Sequence, residues 1–142
     1  MIKVLFLCIH NSARSQIAEA YLKKFGGDSF IAESAGIETG RLNPLAVEVM
    51  KEDGIDISKN ETKSVFDFFK EGRNYNYVVT VCDEASAEKC PLFPGVHKKI
   101  NWSFTDPSSL SGTHEEKLKV VREVRDKIKL AVQDFVKEVN GK

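Results

Sequence analysis

Residues Cys8-Ile9-His10-Asn11-Ser12-Ala13-Arg14-Ser15 follow directly on the apolar run Val4-Leu5-Phe6-Leu7. A lone cysteine is more often a small buried hydrophobe than a reagent. Here a thiol ends a buried strand, and five residues later arginine and serine open a helix. That spacing makes a loop suited to trapping an oxyanion. The first turn of a helix leaves backbone N–H groups unpaired and carries the positive end of the dipole, so an anion is stabilised there. Arg14 adds a planar fork that matches two oxygens of a tetrahedral anion at once. The same field favours an ionised sulfur, which makes Cys8 the expected nucleophile. Asn11 suits the interior of the loop because asparagine tolerates left-handed backbone angles. One of the hydroxyls of Ser12 and Ser15 is expected to bond the sulfur. Ile9, His10 and Ala13 complete the anion-binding stretch, with His10 read as lying at its rim.

The elements that must position this loop alternate strand with helix. Lys3–Leu7 is apolar throughout, as a central strand covered on both faces should be. Ser15–Phe25 carries Ile17, Ala18, Tyr21, Leu22 and Phe25 at helical spacing and stops at Gly26-Gly27. Phe30–Ser34 reads as a second strand. Asn43-Pro44 opens a helix with Leu45, Val47, Val49 and Met50 on its apolar side, ending near Gly54. Ser64–Lys70 reads as a short helix with Val65, Phe68 and Phe69 turned inward. Tyr77–Val81 is a strand that delivers Cys82 at its end, and Val96–Asn101 is a fourth. Glu115–Val139 is the longest helix, capped by Thr113 or a neighbour. Its stripe of Leu118, Val121, Val124, Ile128, Ala131, Val132, Phe135 and Val139 has the pattern of core packing. Right-handed crossovers then give an α/β fold in which a four-stranded parallel sheet lies between helices on both faces. Ligands in such sheets sit beyond the carboxyl ends of the strands. Cys8 and Cys82 both fall at such ends.

The whole chain sets limits on this reading. Its 142 residues suit one domain, residues 1–142, with a real core. Basic and acidic residues balance at 21 each, so no overall field recruits nucleic acid or an acidic membrane. The strand begins almost at Met1, leaving no room for a signal peptide. No apolar run reaches the roughly 18 residues that span a bilayer. A cytoplasmic monomer is expected. Three cysteines in a reducing compartment argue against a static disulfide framework.

Cys82 and Cys90 leave alternatives open on their residues alone. They are two unrelated thiols, part of a zinc site with His97, or partners in thiol exchange. Paired-cysteine zinc spacing is absent. The intervening residues 83–89 are charged and small, suited to a weakly anchored helix that could change shape. Asp106-Pro107 by itself is an ordinary turn.

The loop with its continuation Gln16-Ile17-Ala18-Glu19-Ala20 resembles the low-molecular-weight tyrosine phosphatase superfamily, and more closely its branch of thioredoxin-coupled arsenate reductases. The resemblance extends through Ser34-Ala35-Gly36-Ile37-Glu38, Leu42-Asn43-Pro44, Gly54-Ile55-Asp56-Ile57-Ser58, Val78-Val79-Thr80-Val81-Cys82, Lys89-Cys90-Pro91, Trp102-Ser103-Phe104-Thr105-Asp106-Pro107 and Val124-Arg125-Asp126. It implies the three-layer, flavodoxin-like fold of that superfamily. It also implies that Asp106 is the general acid for the departing oxygen. Phosphatases of the group place aromatic residues straight after this pair, whereas Ser108-Ser109 stand here, which points to a small inorganic oxyanion.

On that resemblance arsenate binds in the loop, with phosphate or sulfate as competitors, and Cys8 forms a covalent arseno-adduct. Cys82 attacks the Cys8 sulfur and arsenite leaves. Cys90 then takes over the bond to Cys82, and thioredoxin reduces that disulfide. The catalytic set so implied is Cys8, Arg14, Ser15, Cys82, Cys90 and Asp106, with no cofactor. Some relatives hold a potassium ion at positions matching Asn11, Glu19 and Ser34. Their further acid is replaced here by Lys63 or Ser64, so no metal is expected. Ile9 and His10 stand where threonine or leucine and then glycine are common, so the backbone at His10 must accept a side chain. The Cys82-to-Cys90 interval is one residue longer than in the best-known members. A phosphatase using Cys8, Arg14 and Asp106 is the runner-up, and a non-catalytic oxyanion-binding module a third reading.

Overall fold

In a computed structural model of the protein, the strands form one all-parallel sheet of order β2-β1-β3-β4. The structure describes residues 1–82, 93, 95–107 and 110–141. The strands are β1 (Ile2–Cys8), β2 (Phe30–Gly36), β3 (Tyr77–Thr80) and β4 (Lys98–Asn101). The helices are α1 (Arg14–Gly26), α2 (Pro44–Glu52), α3 (Val65–Lys70) and α4 (His114–Asn140). None among the described residues is long and apolar enough to cross a membrane.

The apolar run of β1 is the axis of the molecule. Val4, Leu5, Phe6 and Leu7 are wholly buried because β1 is central and covered on both faces. Val4, Phe6 and Cys8 face Ile17, Tyr21 and Leu22 of α1 and Val124, Ile128 and Val132 of α4. Leu5 and Leu7 face Val65 and Phe68 of α3, with Tyr75 and Phe93 beside them. The expected α/β architecture with helices on both faces is therefore present.

From β1 the chain crosses to β2 on one side and later returns to β3 on the other, so strand order switches between β1 and β3. Register pairs Cys8 with Gly36 and Leu7 with Thr80, bringing the ends of β1 and β3 level. Strict pleat alternation would send Cys82 to the face of Val78. Instead the ladder stops at Thr80 and the chain bends at Cys82, which joins Cys8, Val79 and Val81 in one core cluster.

Three helices are closed at their starts by side chains. Asn43 Oδ1 accepts from Leu45 N at 2.9 Å, Ser64 Oγ accepts from Phe66 N at 3.2 Å, and Thr113 forms a reciprocal capping box with Glu116. Ala13, at the start of α1, supplies no such cap, which leaves the first N–H groups of that helix for another partner.

Some expectations are corrected. Phe69 is 45% exposed rather than turned inward, because α3 spans only six residues and spends its buried face on Val65 and Phe68. Leu45 and Val47 are partly buried against the core as expected, and Ala46, outside the expected set, joins Val49 and Met50 as fully buried on α2. Strand β4 begins at Lys98 rather than Val96, since the N–H groups of His97 and Lys98 both donate to the Asn76 carbonyl at 2.8 and 3.2 Å. Trp102, just beyond β4, sets its ring against Phe6, Phe135 and Phe104, with centroids 6.1, 6.0 and 6.5 Å away.

Polar groups lock α1, the end of α2 and α4 together. Tyr21 Oη donates to Asp53 Oδ2 at 2.7 Å, and Lys129 Nζ reaches the same oxygen at 3.1 Å. The Tyr21 hydroxyl, followed by Lys129, holds the Asp53 carboxyl below the usual carboxylate range, while burial and then Asp53 push Tyr21 up. A depressed carboxyl contributes stability above its unfolded value and loses it as pH falls through the folded value. Tyr21→Phe is therefore expected to cost about 1.5 kcal/mol at pH 7. The cost should shrink below about pH 4, where carboxylates take up protons. Urea titrations at pH 7 and pH 3 check this, and an equal loss at both would contradict it.

Candidate active site

The strand–loop–helix passage from β1 to α1 wraps the sulfur of Cys8. Cys8 is buried, and its Sγ lies 3.0 Å from Asn11 N, which donates to it, and 2.9 Å from Ser15 Oγ. Asn11 Nδ2 donates to Ser15 Oγ at 2.8 Å, which leaves the Ser15 hydrogen available to the sulfur; towards an ionised Cys8, which has no hydrogen of its own, Ser15 is the donor. Of the two serines weighed from sequence, Ser15 is the one on the sulfur. The turn depends on Asn11, the one non-glycine residue with positive φ among those described, at 55°. His10 therefore keeps ordinary backbone angles and accepts its side chain without strain. Its ring lies at the rim, 42% exposed, with Nδ1 3.9 Å from Glu38 Oε2.

The loop is anchored on β2 and on the stretch before α2. Ile37 N donates to Cys8 O at 3.1 Å, Glu38 N to Ile9 O at 2.7 Å, and Asn43 N to Ser12 O at 2.9 Å. Ser12 and Ala13 then lead into the uncapped start of α1. Gly36 lets β2 approach this closely. A Cβ there would lie 2.7 Å from Asn11 N and 2.7 Å from His10 C. A glycine at a strand end is a signal of such an approach, and the sequence reading passed over it.

Arg14 is 7% exposed and held by tertiary contacts. Its Nη1 donates to the Phe104 carbonyl at 3.2 Å, and its Nη2 lies 3.7 Å from Asp106 Oδ2. The Asp106 carboxyl, about one-third exposed, thus sits at the mouth of the loop opposite the guanidinium. The cleft beside the mouth, about 520 Å³, is lined by Ser12, Leu42, Leu45 and Pro107, with Arg41 and Lys117 among its cations. Positive charge along a cleft favours entry of anions. Chemically, the arrangement sets a sulfur at the floor, a cation at the side and a carboxyl at the exit. That is what displacement of one oxygen from a tetrahedral anion needs.

Beneath the loop lies a buried polar network. Asn11 Nδ2 also donates to Ser34 Oγ at 3.0 Å, and Ser34 donates to Glu19. Glu19 is 6% exposed, with Lys23 Nζ 2.6 Å from Oε2 and Lys63 Nζ 3.9 Å from Oε1. Of Lys63 and Ser64, it is Lys63 that reaches Glu19. With two ammonium groups against one carboxylate, these residues do not fit a bound potassium ion.

Cys90 and the Ser108-Ser109 pair fall outside the described residues, as does the segment expected to move with Cys90. Cys82 lies in the same core cluster as Cys8. His97 sets its ring edge-on to Tyr77 at 5.7 Å, and no metal-binding cluster of His, Cys, Asp or Glu occurs among the described residues. Besides Gly36, sequence reasoning missed Gln16 and the Phe104 carbonyl that steadies Arg14.

Comparison with known proteins adds independent findings. The family described as low molecular weight phosphotyrosine protein phosphatase matches residues 3–142. An arsenate reductase of Bacillus subtilis is 46% identical over 132 residues, covering 93% of each chain. Among solved structures, an arsenate reductase in its phosphate-binding state superimposes with a TM-score of 0.80 at 31% identity, covering 97% of this chain and 98% of the other. A thioredoxin-dependent arsenate reductase of Corynebacterium glutamicum gives a TM-score of 0.64 at 28% identity, covering 94% of this chain and 62% of that one.

Proposed function

The chain belongs to the low molecular weight phosphotyrosine protein phosphatase family, and from that premise we propose that it is an arsenate reductase, an oxidoreductase of the reducing cytoplasm that draws its electrons from thioredoxin. The observation that carries the reading is the bend that puts Cys82 in the core cluster of Cys8, at the switch in strand order. Phosphate-ester hydrolysis needs Cys8, Arg14 and Asp106, and a second sulfur there would serve a phosphatase only as redox protection of the first, whereas the reductase uses it in every turnover.

Arsenate enters the loop formed by Ile9, His10, Asn11, Ser12, Ala13, Arg14 and Ser15, where backbone N–H groups and the guanidinium hold its oxygens. Phosphate and sulfate compete because they share its shape and charge. Cys8 Sγ, supported by Asn11 N and Ser15 Oγ, attacks arsenic. One oxygen departs with a proton from Asp106, leaving a sulfur–arsenic(V) bond. Cys82 then attacks the Cys8 sulfur. The electron pair of the sulfur–arsenic bond goes to arsenic, arsenite leaves with arsenic as As(III), and a Cys8–Cys82 disulfide forms. Cys90 attacks Cys82, Cys8 departs as a thiolate, and the oxidation now resides in a Cys82–Cys90 disulfide. A dithiol thioredoxin reduces that bond. Each pairing requires Cα atoms within about 7 Å.

The test is one turnover of arsenate without reductant, followed by alkylation and mass mapping of the three cysteines. The expected product carries Cys82 joined to Cys90, with Cys8 alkylatable. Arsenite released while Cys82 stays alkylatable would remove the relay. Rapid aryl phosphate hydrolysis with no arsenite would make the protein a phosphatase instead.

A further inference from the structure

We propose that Gln16, held by Asn60, is a positioning residue that keeps both hydrogen-bond donors on the Cys8 sulfur in place. Gln16 is wholly buried in the first turn of α1. Its Nε2 carries two hydrogens and faces three oxygens: Asn11 O and Asn11 Oδ1 at 3.1 Å each, and Glu61 O at 3.0 Å. It thus grips Asn11 by both its main-chain carbonyl and its side-chain amide, on either side of the residue that turns the loop. Asn11 supplies one donor to the sulfur directly, through its N–H, and orients the other through Nδ2 on Ser15 Oγ. Both donors therefore depend on one amide nitrogen.

That nitrogen faces the right way because of a distant residue. Asn60 is exposed and donates through Nδ2 to Gln16 Oε1 at 3.1 Å. The bond tells the two ends of the Gln16 amide apart, turning the oxygen toward the 57–60 turn and the nitrogen toward Asn11. Lys63 N, three residues on, donates to Asn11 Oδ1 at 2.9 Å, so the same connecting segment touches the loop twice. The inference rests on Cys8 as the nucleophile of the proposed reaction. The other ionisable groups near the loop include Arg14 and Asp106 at its mouth, His10 with Glu38 at its rim, Cys82 in its cluster, and Glu19 with Lys23 and Lys63 beneath.

Alkylation of Cys8 by iodoacetamide tests it without arsenate, so its result is separate from the choice of substrate. Gln16→Glu keeps the shape of the side chain but replaces the donor with an acceptor facing three oxygens. The alkylation rate at pH 7 should fall about tenfold, the effect of losing a well-placed hydrogen bond to the sulfur. Asn60→Asp at the exposed partner removes the donor to Gln16 Oε1 and favours the flipped amide. A fall of about threefold is expected there. Both deficits should shrink at pH 10, above the ordinary thiol range of about 8.5. Rates equal to the parent at pH 7 in the folded variants would overturn the proposal. So would a deficit that persists undiminished at pH 10, which marks a packing role only. If Gln16→Glu fails to fold, Asn60→Asp decides alone.

Discussion

Cys8→Ser is expected to make no arsenite, with a residual rate at least about 10⁴-fold below the parent. The substitution is nearly isosteric, and Asn11 N and Ser15 Oγ would still find an acceptor at position 8. What changes is the reagent. A serine hydroxyl is not appreciably ionised near neutral pH, and the contacts to Sγ come from donors, not from a base that could remove its proton. Nor can an oxygen at that position form the bond to Cys82 that expels arsenite. The anion-binding parts are untouched, because Arg14 and the N–H groups of α1 lie elsewhere in the loop. Phosphate affinity by calorimetry should stay within a few-fold of the parent while arsenite production, measured colorimetrically with thioredoxin present, disappears. A variant that keeps more than a hundredth of the activity would refute Cys8 as nucleophile.

Gly36→Ala is the second large effect, and it comes from outside the loop. The added methyl would sit 2.7 Å from Asn11 N, 2.7 Å from His10 C and 2.8 Å from Glu38 O. All three are main-chain atoms, so no side-chain rotation relieves the clash. Strand β2 and the loop must part. Overpacking of this kind costs about 1 to 3 kcal/mol of stability. The activity loss should exceed that, because the displaced atom is the donor 3.0 Å from Cys8 Sγ. Displacements approaching 1 Å at a reacting centre cost on the order of a hundredfold, and a fall of that size in kcat/KM is expected. The thermal midpoint should drop by several degrees for the same variant. Kinetics within twofold of the parent would show that the loop tolerates the intrusion.

Much of this site was legible because its chemistry is local. Cys8, Asn11, Arg14 and Ser15 lie within eight residues of one another, and that short spacing already predicts the contacts that gather Asn11 and Ser15 on the Cys8 sulfur. The strands were legible for a similar reason, since Val4 to Leu7 and Tyr77 to Val81 are mostly apolar runs, although β3 stops at Thr80, one residue short of the expected end. Contacts that close over long stretches were not. Asn60 meets Gln16 across 44 positions and Lys63 meets Asn11 across 52, and no periodicity announces either. Phe69 failed for a different reason. A helix of six residues carries too few turns for its pattern to select a face, and Val65 with Phe68 filled the space against β1 first. The placement of Cys82 also eluded the pattern, because a bend at one residue reverses the side that alternation assigns to it.

The ring contacts of Trp102 have a practical corollary. It is the single indole of the chain, wedged between Phe6 of the central strand and Phe104, whose carbonyl steadies the guanidinium of Arg14. The molecule accordingly carries an intrinsic fluorophore wired to the segment that bears Asp106. Any shift of that segment when an anion is added can be timed optically, in milliseconds after mixing, with no dye attached and no residue replaced.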